Sequence, residues 1–355
     1  MGLVTVIVEL KNFVIERVTN VVDSELSWLA LLFIVLIIPI LIKTGVGYDY
    51  VNIEDQKRER PFTQIYKNIK RIYSTASVRM DLLHLILNQL IFVGIAQFIV
   101  LPLTAEYYSA TFAPQISAFF GKIGLPKLNV IENHHAVHFI YLVIVFLAYE
   151  FFQYLCHFLK HRVGFLWEFH KVHHSAPFLA VTTAYRRHVV DIYTNIFFAG
   201  FAIGLTDAVF SQLFYSRPTY SLAADLRVVS LIITLSSSLD HSHIWWSWGK
   251  LERVLVSPAV HILHHSKDPK HFGKNLGETL SIFDHVFGTF AKPDVAPEGV
   301  EVGLVDKFDW SQASYFRTLI QPFKAITGII SAKGLKSIFK NVNEINLIGN
   351  FQKKL

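Results

Sequence analysis

Long apolar runs, separated by short polar segments, follow one another along most of this 355-residue chain. A helix that crosses a bilayer needs about 20 apolar residues in succession. Four runs approach that length, and a fifth is weaker because it carries Asp225 and Arg227 near its start. The five runs cover residues 26–42, 82–103, 139–156, 192–215 and 222–239. The pattern predicts an all-α, multi-pass bundle of about four to five membrane helices; the last two could span fully or form a hairpin that only partly enters the bilayer.

The composition narrows the class of protein. Apolar residues make up 52% of the chain and charged residues 17%, whereas about 25% of the residues in soluble domains are charged. The net charge of +6 fits basic cytoplasmic loops and contact with anionic lipid better than nucleic-acid binding, for which the chain carries no motif. A single cysteine, Cys156, excludes an intrachain disulfide and a thiolate metal site.

The distribution of Lys and Arg predicts the orientation of the bundle. Segment 44–80 holds seven basic residues, while segment 104–138 holds only Lys122 and Lys127. Because basic loops remain in the cytoplasm, the first segment should face the cytoplasm, and the helix over 139–156 should run inward. Its end would deliver His157 and His161 to the cytoplasmic surface. We therefore expect a cytoplasmic helical cap, on either a bacterial inner membrane or the endoplasmic reticulum.

Eight histidines form three short clusters in which the spacing is helical. On an α-helix, positions i, i+3 and i+4 share one face, so each cluster is expected to aim its imidazoles at one point. Imidazole is the commonest nitrogen ligand for transition metals, and the number of histidines suits two metals side by side. The clusters are His157 and His161; His170, His173 and His174; and His261, His264 and His265.

The donor set favours iron among the metals. A structural zinc site closes at four ligands and usually contains Cys, a catalytic zinc takes about three protein ligands, and the HExxH motif of zinc proteases is absent from the sequence. Eight or nine imidazoles fit two irons, which bind and reduce O2. The alternatives are a non-catalytic metal-handling protein or transporter and a membrane zinc hydrolase. Transporters place ligands near the bilayer midplane, whereas these clusters begin where the apolar runs end.

Residues 149–290 resemble the fatty acid hydroxylase superfamily, also called the sterol desaturase family, of membrane di-iron enzymes. The resemblance rests on HFLKH from His157, LWEFHKVHHS from Leu166, SPAVHILHHSKDP from Ser257 and KNLGETLSIFDHVFGTF from Lys274. It implies three parts: N-terminal membrane helices and loops (1–140), a di-iron catalytic domain (141–292) and a C-terminal basic amphipathic tail (293–355). In that tail, apolar residues recur on one helical face between 316 and 330, with lysines nearby.

The resemblance also implies a ninth ligand, His241, with His243 as its alternative. His188 stands where some relatives have a histidine, and we expect it beside the ligands or the substrate. Since metal-bound imidazoles donate their second N–H to a carboxylate or carbonyl, we expect partners among Glu150, Glu168, Asp191, Asp240, Asp268 and Asp284. Glu150 and Asp240 are the best placed, because each adjoins an apolar segment where an unpaired charge is costly. Asn275 and Asp284 belong to the family motif and are assigned supporting roles. His84 and the set His134, His135 and His138 are expected to lie apart from the site.

The activity that the resemblance implies is O2-dependent hydroxylation or desaturation of a lipid. The lipid could be a fatty acyl chain, a sterol, an ether lipid or a carotenoid, entering sideways from the bilayer. Electrons must come from outside, because the sequence has no haem motif, flavin fingerprint or iron–sulfur cysteines. Family precedent names a cytochrome b5 or ferredoxin-type protein, or a reduced pterin, as the donor.

Overall fold

A computed structural model describes residues 48–49, 74–99, 105–128, 134–214, 236–294, 300–305, 308–310 and 313–333. The predicted run 26–42, nearly all of 222–239 and the tail beyond 333 lie outside these residues. Within the described part the chain is mostly helical, with one short antiparallel ladder that pairs β1 (Tyr48–Asp49) with β2 (Ile244–Trp245). The α-helices are α1 (Ala76–Ile99), α2 (Ala105–Lys122), α3 (His134–Arg162), α4 (Gly164–His170), α5 (Val189–Leu213), α6 (Pro258–His264), α7 (Ile282–Phe287) and α8 (Tyr315–Lys333).

Two of the described helices are long and apolar enough to cross a membrane. They are Phe139–Arg162, which is most of α3, and α5. Both coincide with predicted apolar runs, and α1 contains most of a third run, 82–103. The sequence between His134 and Arg162 contains no glycine or proline, so α3 continues for 29 residues. It ends at Val163, whose extended backbone turns the chain into α4.

Helices α2 and α3 both pack closely against α5. Gly204 of α5 lies against α2 so tightly that a Cβ there would stand 2.5 Å from the carbonyl oxygen of Ala105. The aromatic rings of Tyr108, Phe112 and Phe201 fill the contact around it. Because α5 carries Asp191 in its first turn and α3 carries histidines in its last turns, this packing fixes one side of the site.

Between residues 241 and 294 the chain folds into short elements, and α6 lies in an apolar cluster that also includes Leu179. Ser257 caps α6 by accepting a hydrogen bond from the Val260 amide at 3.3 Å, and Pro258 occupies the first turn, where its missing N–H costs nothing. α6 is buried along its whole length. Its apolar neighbours are Leu179, Trp245, Val300 and Val302. A short helix buried in this way gives its histidines little freedom to move.

Candidate metal centre

Nine histidine side chains converge in two adjoining groups. Within each group, one nitrogen of every imidazole lies within 4.8 Å of one nitrogen of every other. The ring centroids of His174 and His265, one from each group, are 4.3 Å apart, so the two groups are in contact. Group one consists of His157, His161, His170, His174 and His264; group two consists of His173, His241, His261 and His265.

The division follows the spacing within each cluster. The i, i+4 pairs His157 with His161, and His170 with His174, both belong to group one, and the pair His261 with His265 belongs to group two. The remaining member of each HxxHH cluster points to the opposite group: His173 to group two and His264 to group one. The expectation that each cluster aims at one point therefore differs from the structure. Residues i and i+3 differ by about 60° around a helix axis, which is enough to direct them to neighbouring points.

Only part of each HxxHH cluster is regular helix. His170 is the last residue of α4, and His173 and His174 begin a 3-10 turn (His173–Ser175) after two intervening residues. In the other cluster, His261 and His264 belong to α6 and His265 follows its end. The last turn of a helix leaves backbone groups without helical partners, so the chain can turn here while its side chains still face the site.

In group one, two imidazole lone pairs face each other. The Nδ1–H of His157 donates to the Leu276 carbonyl at 2.9 Å, and the Nδ1–H of His170 donates to Asp191 Oδ1 at 3.0 Å. A neutral imidazole carries one proton, so both Nε2 atoms are left as acceptors. These two Nε2 atoms are 3.1 Å apart. Two lone pairs at that distance repel each other unless a cation lies between them.

Group two contains a chain of Nε2 atoms whose three close contacts cannot all be hydrogen bonds, because each Nε2 carries either one proton or one lone pair. His241 Nε2 is 3.0 Å from His173 Nε2 and 3.0 Å from His261 Nε2, which in turn is 3.1 Å from His265 Nε2. The Nδ1–H of His241 donates to the Ser237 carbonyl at 2.7 Å, so its Nε2 holds a lone pair. Metal ions bind imidazole at about 2.1 Å, and two such ligands at right angles stand about 3.0 Å apart. The nitrogen spacing therefore fits a shared metal ion.

Burial keeps these imidazoles neutral. Loss of hydration lowers the pKa of both His241 and His264 to about 3. It also lowers the pKa of His173, His174 and His265 well below the usual range, with further lowering from neighbouring histidines. Neutral imidazole is the form that binds a metal. The set is thus in its ligating state at pH 7.

Asp191 is the predicted carboxylate that contacts a histidine of the two groups. Its Oδ1 accepts from His170 and also lies 2.7 Å from Lys160 Nζ. Lys160 in turn donates to the side chain of Asn195, one helical turn further along α5. A buried carboxylate is stabilised by such pairing, and the shared oxygen fixes the tautomer of His170.

The other predicted partners bind other donors. Glu168 pairs with Lys171 at 2.5 Å. Asp240 accepts from Ser236 at 3.3 Å and lines the small space between the imidazoles. Glu150 accepts from the backbone amides of Thr279 and Leu280 at 3.0 and 2.9 Å. Each carboxylate satisfies a nearby donor rather than an imidazole.

Asn275 and Asp284 support the site through the backbone. Asp284 accepts from the Leu276 and Gly277 amides at 2.7 and 2.8 Å, and thereby holds the peptide whose carbonyl receives His157. Asn275, with a left-handed φ of 55°, donates to the Val260 carbonyl at 3.0 Å and so ties the loop to α6. The carbonyls of Leu276, Lys274 and Ser237 receive ligand imidazoles. Sequence reasoning missed these carbonyls because every residue type carries one.

The remaining histidines that the sequence singled out fall outside both groups. His188 caps α5 and donates to the Leu319 carbonyl at 3.0 Å. His243 is buried nearby but belongs to neither group. His84 is fully buried and contacts the Arg187 carbonyl and Thr318, as a core histidine should. The set His134, His135 and His138 begins α3, about 30 Å along the helix from His157.

Residues 142–289 match the fatty acid hydroxylase family. This match and the similar proteins named below support the fatty acid hydroxylase superfamily for this region. The resemblance drawn from the histidine motifs is thereby confirmed. The sequence motifs name eight of the nine clustered histidines and the resemblance names the ninth, His241, whereas Asp191 was one of several candidate carboxylates; the division into two groups came from the fold.

Curated proteins match between 40% and 53% of the chain. An ornithine lipid hydroxylase of Rhizobium tropici is 31% identical over 192 residues, which is 53% of this chain and 50% of that protein. Alkylglycerol monooxygenases of Danio rerio and Homo sapiens are each 29% identical, over 52% and 41% of this chain and 39% and 29% of their own lengths. The chain thus spans half or less of the curated relatives that it matches. No solved structure matches it.

Proposed function

We propose that the protein is an integral membrane lipid hydroxylase in which the two histidine groups hold a pair of iron ions. The observation that carries the proposal is the pair of Nε2 lone pairs, on His157 and His170, that face each other at 3.1 Å. Protein groups are not left in this arrangement unless a cation binds there. A family of lipid hydroxylases and monooxygenases supplies the reaction class.

Each histidine group would hold one metal ion. His157, His161, His170, His174 and His264 would bind the first, and His173, His241, His261 and His265 the second. The donors are nitrogen only, without thiolate, which suits iron. When bound, the irons would supply O2 activation and removal of hydrogen from an unactivated C–H bond. The protein supplies position, electronic tuning and exclusion of water.

The chain's own residues prepare the ligands. Asp191 and the carbonyls of Leu276, Lys274 and Ser237 each hold one imidazole in a fixed tautomer, with its free nitrogen directed into a group. Such outer partners raise ligand basicity and fix ring orientation. Burial of both groups excludes water from the site. O2 and an external electron donor, of the cytochrome b5, ferredoxin or reduced-pterin kind, complete the proposed reaction.

Hydroxylation is favoured over desaturation. The relatives are named as a hydroxylase and as monooxygenases. Their names contain two polar lipids, an ornithine lipid and an alkylglycerol, so we propose a polar lipid substrate. The site is proposed to lie at the cytoplasmic face, where the Lys and Arg distribution directs the end of α3.

Lipid mass spectrometry tests the proposal directly. Cells with and without the protein should differ by a lipid that has gained one oxygen. His173→Ala and His264→Ala, one from each group, should abolish that product, while the protein remains in the membrane fraction. Full activity in both variants would overturn the ligand assignment.

The rival function, a non-catalytic metal-handling protein or transporter, makes a different prediction. It would bind metal with the same histidines but would not consume O2 with a reductant. Purified membranes that contain the protein should consume O2 when a reductant and lipid are supplied. If metal is bound and no O2 is consumed under any of these donors, the rival is correct.

A further inference from the structure

A cavity lies beside the histidine groups and leads away from them between helices. It has a volume of about 310 Å³ and is bordered by α1, α3 and α5. Its wall includes the apolar side chains of Leu85, Ile192, Ile196 and Ala199. Ligand cavities span about 300–1,000 Å³, so this one can take only one end of a long lipid. The rest of the molecule would remain outside.

The inner end of this cavity is polar and continues to the histidines. A much smaller space, about 20 Å³, lies among His157, His170, His173 and His261. Four polar residues line both spaces and so form a throat between them: Arg187, Asn195, Ser237 and Glu278. Anything that reaches the imidazoles from the larger cavity must pass these side chains.

Arg187 is the cation of this throat, and its hydrogen-bonding capacity is largely unused. Among the described residues, its side chain contacts one acid, Glu278, at the long distance of 3.9 Å. Its Nε is buried without an acceptor, although a guanidinium offers five donors. Its side chain keeps 22% of its surface accessible, and it borders the cavity. A cation in this state favours an acceptor supplied by a ligand.

Hydrogen bonds hold the backbone of Arg187 in place, and this limits the positions that its guanidinium can reach. The Arg187 carbonyl accepts from Asn88 Nδ2 at 2.7 Å and from His84 Nδ1 at 3.1 Å, both on α1. These two side chains are themselves fixed from α8, by Tyr315 at 2.8 Å and Thr318 at 3.1 Å. A residue anchored from two helices has the rigidity that substrate positioning requires.

The outer part of the cavity leads toward the helices most suited to a bilayer. Ile192, Ile196 and Ala199 lie on α5, and Tyr149 lies on α3. Both helices are long and apolar enough to span a membrane. Along α5 the cavity wall is thus polar in the throat, at Asn195, and apolar at Ile196 and Ala199, while His84, Asn88, Tyr185 and Ser238 make the rest of the wall mixed. An amphipathic molecule would fit this cavity with its polar end toward the histidines and its apolar end along α5.

From this polarity we infer that the substrate enters with its polar end first and that Arg187 binds an anionic or carbonyl oxygen of that end. The carbon that reacts would then lie within a few bonds of the lipid's polar group, not in the middle or at the far end of its chain. The inference rests on the proposed function, which it extends by naming the orientation of the substrate and the residue that sets it.

Photo-crosslinking of the metal-loaded, full-length protein in lipid nanodiscs tests the orientation without turnover. Two hexadecanoic acid probes would be compared, one with a diazirine next to the carboxylate and one with a diazirine next to the terminal methyl group. The first should label peptides near Arg187, Ser237 and Glu278. The second should label the outer wall, around Leu85, Ile196 and Ala199. The reverse order of labelling would overturn the inference.

Two variants test the role of Arg187. Arg187→Gln should reduce labelling by the carboxylate-proximal probe about tenfold or more, since a hydrogen bond to a charged group is lost. The matching hexadecanol probe, which has no charge, should change little. Arg187→Lys, which keeps the charge, should recover part of the loss. Equal labelling of wild type and Arg187→Gln by the carboxylate probe would contradict the assignment.

Metal content separates a failure of this inference from a failure of the proposed function. Wild type and both variants should bind the same amount of iron. If wild type binds iron but the probes label it in the reverse order, only the orientation is wrong. If wild type binds no metal, the proposed function itself fails.

Discussion

At the scale of single residues, the site depends on which imidazole nitrogen carries the proton. Asp191 and three backbone carbonyls determine this for four of the nine clustered imidazoles, and the consequence is a set of lone pairs directed inward. Asp191 is the one side-chain carboxylate in this role among the described residues. It also receives Lys160, so one oxygen links α3, α4 and α5. Loss of Asp191 should therefore weaken binding of the proposed metal.

Replacing Asp191 with Asn should weaken metal binding about 10- to 100-fold, because an outer partner of a ligand histidine contributes by that amount. The amide would leave Lys160 without its charge partner, and its neutral oxygen would accept from His170 more weakly than the carboxylate does. Iron or zinc titration of the purified protein measures the effect. Asp268→Asn is the matched control, since Asp268 is an exposed carboxylate that caps a 3-10 turn and contacts Lys270. Equal losses in the two variants would argue against a specific role for Asp191.

At the scale of elements, helix contacts place the ligands, and small residues set how closely the helices approach. Gly204 of α5 faces α2, where an added Cβ would stand 2.5 Å from both Ala105 O and Tyr108 Cβ. Since two of the three obstacles nearest to it are backbone atoms, of Ala105 and Ser109, the helices would have to move apart. α5 also carries Asp191, so this contact is connected to the site.

Gly204→Ala should destabilise the protein by about 1–3 kcal/mol, the usual cost of forcing an extra group into a close contact. Thermal unfolding in detergent measures it. Gly121→Ala in α2 is the control, because a Cβ at Gly121 meets no atom within 4 Å. That change should be neutral or slightly stabilising, since alanine favours helix. A loss of stability at Gly121 as large as at Gly204 would count against the close-contact explanation.

The last described helix, α8, has two apolar faces. Tyr315, Thr318 and Pro322 are buried on its inner side, while Phe316 and Ile320 are 69% and 51% exposed. The tail predicted from the sequence to be basic and amphipathic includes this helix. Its location on the membrane stays a prediction. The exposed face, flanked by Arg317 and Lys324, has the character of an interfacial helix.

Nitroxide labels can test where α8 lies. In liposomes, a label at Phe316→Cys should collide more often with O2, which concentrates in the bilayer. A label at Arg317→Cys should collide more often with a water-soluble nickel chelate. The native Cys156 is buried and should not interfere. Equal exposure of both labels to the nickel chelate would show that the helix faces water.

At the scale of the whole molecule, the histidine groups join segments that are far apart in the chain. Residues 157–174, 241 and 261–265 meet there, and these segments come from α3, α4, α6 and the connections between them. A ligand that binds only the folded state stabilises it. A bound metal should therefore stabilise the fold as well as supply chemistry.

Removal of metal by a chelator should lower the melting temperature, and added iron(II) should restore it. The stabilisation reaches about 4 kcal/mol when free metal exceeds its dissociation constant a thousandfold. A protein with both His157→Ala and His261→Ala, one change in each group, should not respond to metal. A wild-type melting temperature that is the same with and without metal would contradict a metal role in stability.

Much of the site could be predicted from the chain alone because its parts are local. The spacing of His157 with His161, or of His261 with His265, places both rings on one helical face wherever the helix lies. The apolar runs over α3 and α5 are also local, and both appear as long helices. The other predicted membrane helices lie partly outside the described part of the chain.

What the sequence by itself determined is the kind of chain and the kind of ligand: apolar helices of membrane length, and imidazoles in helical pairs beside a family motif. The tertiary structure alone decided that His173 and His264 cross to the opposite groups, that Asp191 is the carboxylate beside His170, and that Arg187 stands between the cavity and the histidines. The physical reason is distance along the chain. Periodicity records which residues share a face, but a contact between Leu276 and His157 depends on how separate segments pack together.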